Sequence, residues 1–115
     1  MARRTSGQLI HPAREDLVLT EVLAALSDPL RLSVVAELAA GGERPCSSFA
    51  LPVGKSTQSW HFRTLREAGV IRQRDEGTRR LNSLRTEDLE ARFPGLLALV
   101  VREARVVREA RRADR

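Results

Sequence analysis

Apolar residues recur at helical spacing through most of the chain, with one clear interruption. Leu19, Val22, Leu23 and Leu26 predict a first helix over residues 12–26. Glu15 and Asp16 suit its positive N-terminal end. Ser27-Asp28-Pro29 is a restart signal, since Ser27 or Asp28 can cap and Pro29 fits the first helical position. The second helix runs from Pro29 to about Ala40, with Leu30, Val34, Val35 and Leu38 inward, and Gly41-Gly42 ends it. Residues 45–51 predict a short third helix, and Leu51-Pro52-Val53-Gly54 a turn. Phe62, Leu65 and Ala68 place one apolar stripe on a fourth helix, with Ser56 as its N-cap and Gly69 as its left-handed terminator.

After Gly69 the periodicity changes. Val70 to Asp75 and Arg79 to Leu84 each suit a strand, with the turn at Glu76-Gly77. Helical spacing then returns. Thr86 caps a further helix with Glu87 and Asp88 in its first turn, and Pro94-Gly95 interrupts it. The last helix reaches Ala110, with Phe93, Leu96, Leu97, Val100, Ala104 and Val107 on one face and Leu99, Val101 and Val106 widening it. Short helix, tight turn, helix and basic hairpin form a winged helix-turn-helix. The expected fold is mainly α with a small β-hairpin: four helices, two strands and a closing helix.

Composition refines this picture. The 115 residues are 42% hydrophobic but only 3% aromatic with no Tyr, so one modest core of Leu, Val and Ala is expected. The single cysteine allows no internal disulfide, which fits a reducing cytosol. No apolar run approaches the roughly 20 residues of a membrane span, and the basic Met1–Ser6 stretch has no signal core behind it. A cytoplasmic location is expected. So is an arm at residues 1–11, in which Arg3 and Arg4 either fray or touch phosphate, and a frayed end at residues 111–115.

Charge changes the picture most. The net charge is +5, and Lys55 to Arg85 carries eight Lys/Arg against three Asp/Glu, which accounts for the whole excess. A localised basic excess is the footprint of a polyanion partner or a solvated face. The fourth helix turns hydroxyls, cations and an aromatic outward, a set suited to base edges and phosphates. Lys55, Ser56, Ser59, Trp60 and Arg63 are expected in the major groove of double-stranded DNA, with Thr57, Gln58 and Arg66 completing that helix's candidates. Arg72, Arg74, Thr78, Arg79 and Arg80 are expected on backbone or minor groove from the wing. The broad apolar face of the last helix is expected to cover the chain's own core and also to meet a partner chain, with Leu96, Leu97, Val100, Ala104 and Val107 as the candidates. Residues 12–110 would thus serve DNA binding and dimerisation. No nucleophile–base pair, Gly-rich phosphate loop or metal cluster is visible, so no enzyme is expected. A winged helix that binds another protein, or a regulator whose sensing a partner protein supplies, is the competing expectation.

Three stretches taken together resemble a family. Leu26-Ser27-Asp28-Pro29-Leu30-Arg31-Leu32, then Lys55 through Ile71, then Glu76-Gly77-Thr78-Arg79-Arg80 are similar to the ArsR/SmtB-type bacterial transcriptional regulators, over roughly Leu17 to Val101. The resemblance implies a homodimer joined through its first and last helices, which adds Leu19, Val22 and Leu23 to the candidate interface, and bound to an imperfect inverted repeat near a promoter. Two positions depart from the family pattern. Gln58 stands where relatives are usually apolar, and either reaches a buried partner or turns to DNA. Trp60 stands where they often have His or another polar group, and either meets a thymine methyl or the sugar wall or anchors a neighbouring helix. His61 is a family position without metal chemistry, which implies a structural role or a phosphate contact.

Metal-sensing relatives carry paired cysteines near the third helix, or Asp, His and Glu ligands on the last. This chain has only Cys46 in the first region, and no His or Cys with only Glu103, Glu109 and Asp114 in the second. His11 and His61 are distant in sequence. No cofactor is evident, and the ligand count argues against a metal effector. An intersubunit site using His11 or Cys46 remains open, and Cys46 is either a buried inert thiol or a redox sensor.

Overall fold

Asp28 sets the frame. In the computed structural model, which describes residues 9–113, its carboxylate accepts from the amides of Leu30 and Arg31 at 2.9 and 3.0 Å. That cap, with Pro29 behind it, starts helix α2 (Pro29–Ala40) where the sequence predicts. Val34, Val35 and Leu38 of α2 are buried at the centre of the core.

The first helix is shorter than expected. Arg14–Asp16 makes a single 3-10 turn, Leu17 is extended, and α1 spans only Leu19–Leu26. Tertiary contacts hold the preceding segment as a strap. The Pro12 carbonyl accepts from Arg85 Nη1 at 2.8 Å. Leu17 is buried over Gly69, where a Cβ would lie 2.1 Å from Leu17 Cδ2. His11, placed by the sequence in a mobile arm, accepts from the Gln73 amide at 2.9 Å. The expectations for Arg3, Arg4 and the last two residues lie outside the described residues.

The predicted third helix is absent among the described residues. Arg44–Pro45 forms a two-residue strand, β1, followed by one 3-10 turn at Cys46–Ser48. The sequence explains this afterwards. Phe49 and Leu51 are buried while Ala50 is exposed, a two-residue alternation that fits extended backbone. The Ser48 hydroxyl bonds back to the Pro45 carbonyl at 2.8 Å, competing with helical hydrogen bonds.

Helix α3 spans Lys55–Ala68. Gly54 rather than Ser56 is its N-cap, so Ser56 lies inside the first turn with its hydroxyl free of the capping role. Gly69 ends the helix at φ 88°, and the Val70 amide reaches back to the Leu65 carbonyl at 2.9 Å. Strands β2 (Ile71–Glu76) and β3 (Arg79–Leu84) follow, joined through Gly77 and Thr78. They pair antiparallel with Gln73 opposite Asn82, and β1 joins the far side of β3. The sheet therefore has three strands in the order β1-β3-β2. β2 is an edge, and His11 occupies the Gln73 amide there.

Helix α4 (Thr86–Arg92) has Arg85, not Thr86, at its N-cap position, and Arg85 makes no side-chain cap hydrogen bond. Helix α5 (Leu96–Ala113) extends past Ala110 and packs chiefly along α2. No helix among the described residues is long and apolar enough to cross a membrane.

Candidate nucleic-acid interface

The amphipathic pattern of α3 is realised in space. Phe62, Leu65 and Ala68 enter the core, and Phe62 meets Phe49 edge-on at 5.2 Å between centroids. Lys55, Ser56, Thr57, Ser59, Trp60 and Arg63 form the exposed face. Trp60 is 47% exposed, with the Arg31 guanidinium 5.1 Å from its ring centroid. The Arg31 contact fits the reading of Trp60 as an anchor on a neighbouring helix, and the residue still lies at the surface.

Arg31 ties this face to the core. It is nearly buried, its Nε donates to the Ala25 carbonyl at 2.6 Å, and its Nη1 donates to His61 Nδ1 at 2.9 Å. A guanidinium only donates, so Nδ1 of His61 is the acceptor. His61 is buried and structural, and does not reach the surface for phosphate.

Two helix candidates have partners within the chain. Gln58 is half-buried and donates to the Cys46 carbonyl at 3.1 Å, so it holds the entry to α3 and does not face outward. Arg66 is also half-buried and donates to Gln73 Oε1 at 2.8 Å. Gln73 donates in turn to Asn82 Oδ1 at 2.7 Å, and Asn82 to the Arg44 carbonyl at 3.1 Å. This polar chain fixes α3 to the sheet through two buried amides that sequence reading missed. Their signal was a polar residue two positions from an apolar one on the inward strand face, Gln73 after Ile71 and Asn82 before Leu84.

The wing arginines are exposed, as expected, but each has an acidic partner. Arg72 lies 3.5 Å from Asp88. Arg74 pairs bidentately with Glu43 at 2.7 and 2.8 Å, and that contact raises its pKa while lowering the Glu43 carboxyl's. Arg79 pairs with Glu76 at 2.9 Å, and Arg80 with Asp75 at 2.8 Å. Thr78 is exposed at the turn. Glu43 and Asp88 come from outside the Lys55–Arg85 segment, so folding offsets part of its charge excess. Among the described residues, Lys55 and Arg63 are the cations of that segment without a hydrogen-bond or ion-pair partner. Exposed pairs of this kind hold weakly.

The expected dimer residues divide. Val22, Leu97 and Ala104 are buried within the chain's own core and offer nothing to a partner. Leu96, Val100 and Val107 are half-buried. Leu19 and Leu23 on α1 are more than 40% exposed, as are Val18, Leu99 and Val106, which the candidate set omitted. Packing of α5 on α2 consumes part of the face that helical spacing alone left available.

Helices α2 and α3, the outward polar face of α3 and the adjoining basic hairpin are consistent with a helix-turn-helix protein with a wing, the short helix expected before α3 being reduced to one 3-10 turn. Residues 26–74 match a protein-family model described as a helix-turn-helix domain. An uncharacterized HTH-type transcriptional regulator of Bacillus subtilis (strain 168), YceK, is 34% identical over 86 residues, which cover 72% of this chain and 86% of that protein. The chain belongs to the helix-turn-helix-type transcriptional regulators.

Proposed function

We propose that the chain is a sequence-specific DNA-binding transcriptional regulator of the ArsR type, acting in the cytoplasm as a homodimeric repressor on an inverted-repeat operator. The observation that carries this reading is the exposed face of α3. Ser56, Ser59, Trp60 and Arg63 lie outward on a helix fixed from behind by Phe62, Leu65 and the Arg31–His61 contact. Arg63 and Ser59 would read base edges, and Lys55 would meet phosphate. The wing arginines would exchange their carboxylates for backbone phosphates, giving strongly salt-dependent affinity. The exposed leucines of α1 and α5 would join two chains, and two-fold symmetry would then call for a palindromic site. The reading includes no catalysis and no metal effector, in keeping with the residue inventory of the sequence.

Electrophoretic mobility shift on the DNA upstream of the chain's own gene tests this. The expected result is one discrete complex with two chains per duplex that scrambled DNA of equal length does not compete away. Leu23→Lys with Leu99→Lys should give a folded monomer in sedimentation and lose that complex. A double variant that stays dimeric would contradict the interface, and equal binding to scrambled DNA would contradict sequence-specific recognition.

A further inference from the structure

Between the outward face of α3 and the sheet lies a cavity of about 410 Å³. Ser59, Trp60, Arg63 and Arg66 of α3 line it, with Gln73 and Arg80 across from them. Three guanidinium groups and the hydroxyls of Ser56 and Ser59 line it, and among the described residues no carboxylate lines the wall. Arg80 is oriented by Asp75, which bonds its Nε and Nη2.

Arg66 is the unusual member. Its Nη1 is used by Gln73, but its Nε is buried and has no hydrogen-bond partner among the described residues. Burial pulls its pKa down, with Arg80 and Arg63 adding to that effect against Glu67 and Asp75. A buried N–H without an acceptor is costly, and more so on a charged group. An anionic oxygen in the cavity would supply a counter-charge to Arg63, Arg66 and Arg80 together. Arginine's planar fork suits phosphate and carboxylate for the same reason.

We propose that this cavity is a binding site for an oxyanion, a phosphate or carboxylate group, and that a free oxyanion seated there competes with DNA for the same face. The competition rests on the DNA-binding reading above, whereas occupation of the cavity does not. One ligand chemistry has two sources: a backbone phosphate of bound DNA, or a small free anion that acts as an effector.

Trp60 is the chain's one tryptophan and lines the cavity, so its emission reports occupancy. The full chain without DNA is titrated with inorganic phosphate, and with chloride at matched ionic strength. A saturable change with phosphate alone is expected. Arg66→Met should weaken it by about tenfold or more, the loss of one charge-assisted hydrogen bond. Arg80→Gln on the opposite, exposed wall should weaken it too, and decides the matter if the Arg66 variant does not fold. An identical response to chloride, or unchanged phosphate affinity in the folded variant, overturns the site. In the second arm, phosphate at constant ionic strength should weaken duplex binding by the wild type more than chloride does, and this excess should vanish in the variant. Phosphate binding without competition overturns the effector role, and absence of any duplex binding overturns the DNA reading while the first arm still decides the cavity.

Discussion

Arg31 of α2 donates through Nη1 to Nδ1 of His61 on α3, at 2.9 Å and out of solvent. The same guanidinium bonds the last turn of α1 through the Ala25 carbonyl. It therefore fixes three helices to one another at the base of the outward face. The Ser27-Asp28-Pro29-Leu30-Arg31 element and the His61-Phe62-Arg63 element are one physical unit, joined across 30 residues. Arg31→Ala would leave a buried carbonyl and a buried imidazole nitrogen unpaired. We expect a loss of about 3 kcal/mol in urea unfolding, with a lower midpoint and an unchanged m-value. A loss below about 1 kcal/mol would show that the contact does not hold the helices.

Gly69 is required twice over. Its φ of 88° is disfavoured for a residue with a Cβ, and that Cβ would collide with Leu17. Gly69→Ala is expected to cost at least about 2 kcal/mol in thermal or urea unfolding. Adding Leu17→Ala should relieve the collision, so the double variant should lose less than the sum of the singles. Strict additivity would separate the two residues.

Asp88 sets a pH dependence. Hydrogen bonding from Arg14 at 2.7 Å holds its carboxyl below the ordinary range, burial opposes this, and Arg85 reinforces it at 2.9 Å. The folded chain thus binds fewer protons at this site than the unfolded chain at acid pH, and stability rises with pH there. The contribution is complete above the usual Asp value of about 3.9, and is lost as pH falls through the lower folded value. Asp88→Asn should flatten the acid limb of a stability-against-pH curve, and an unchanged limb would remove Asp88 as its source.

How much of this was legible depended on whether the cause was local. The start of α2, the end of α3 and the hairpin each follow from residues within one turn: Asp28 with Pro29, Gly69, and Gly77 with Thr78. The third helix was misread because residues 44–45 pair with residues 81–82, a contact that window-based reading does not see. Gln58 has the spacing of the inward stripe, four residues before Phe62, but its partner, the Cys46 carbonyl, and the Gln73 partner of Arg66 come from outside the helix. The burial of Val22 and Ala104 likewise depends on how the helices pack.

Glu43 gives a test of the wing. It neutralises Arg74 through two hydrogen bonds on an exposed surface. Glu43→Gln should release that charge, raise DNA affinity severalfold at low salt and steepen the salt dependence by up to about one unit. Unchanged affinity and slope would place Arg74 outside the DNA contact.

The most direct measurement of the central claim is the affinity of Arg63→Ala for upstream DNA, by fluorescence anisotropy at one fixed salt concentration. Arg63 is exposed at the middle of the outward face of α3 and has no partner of its own among the described residues, so its removal should leave the fold intact. The account predicts a loss of roughly 1–3 kcal/mol in specific binding, with much less change for scrambled DNA. Equal affinity of the variant and the wild type for the upstream sequence would contradict α3 as the recognition helix.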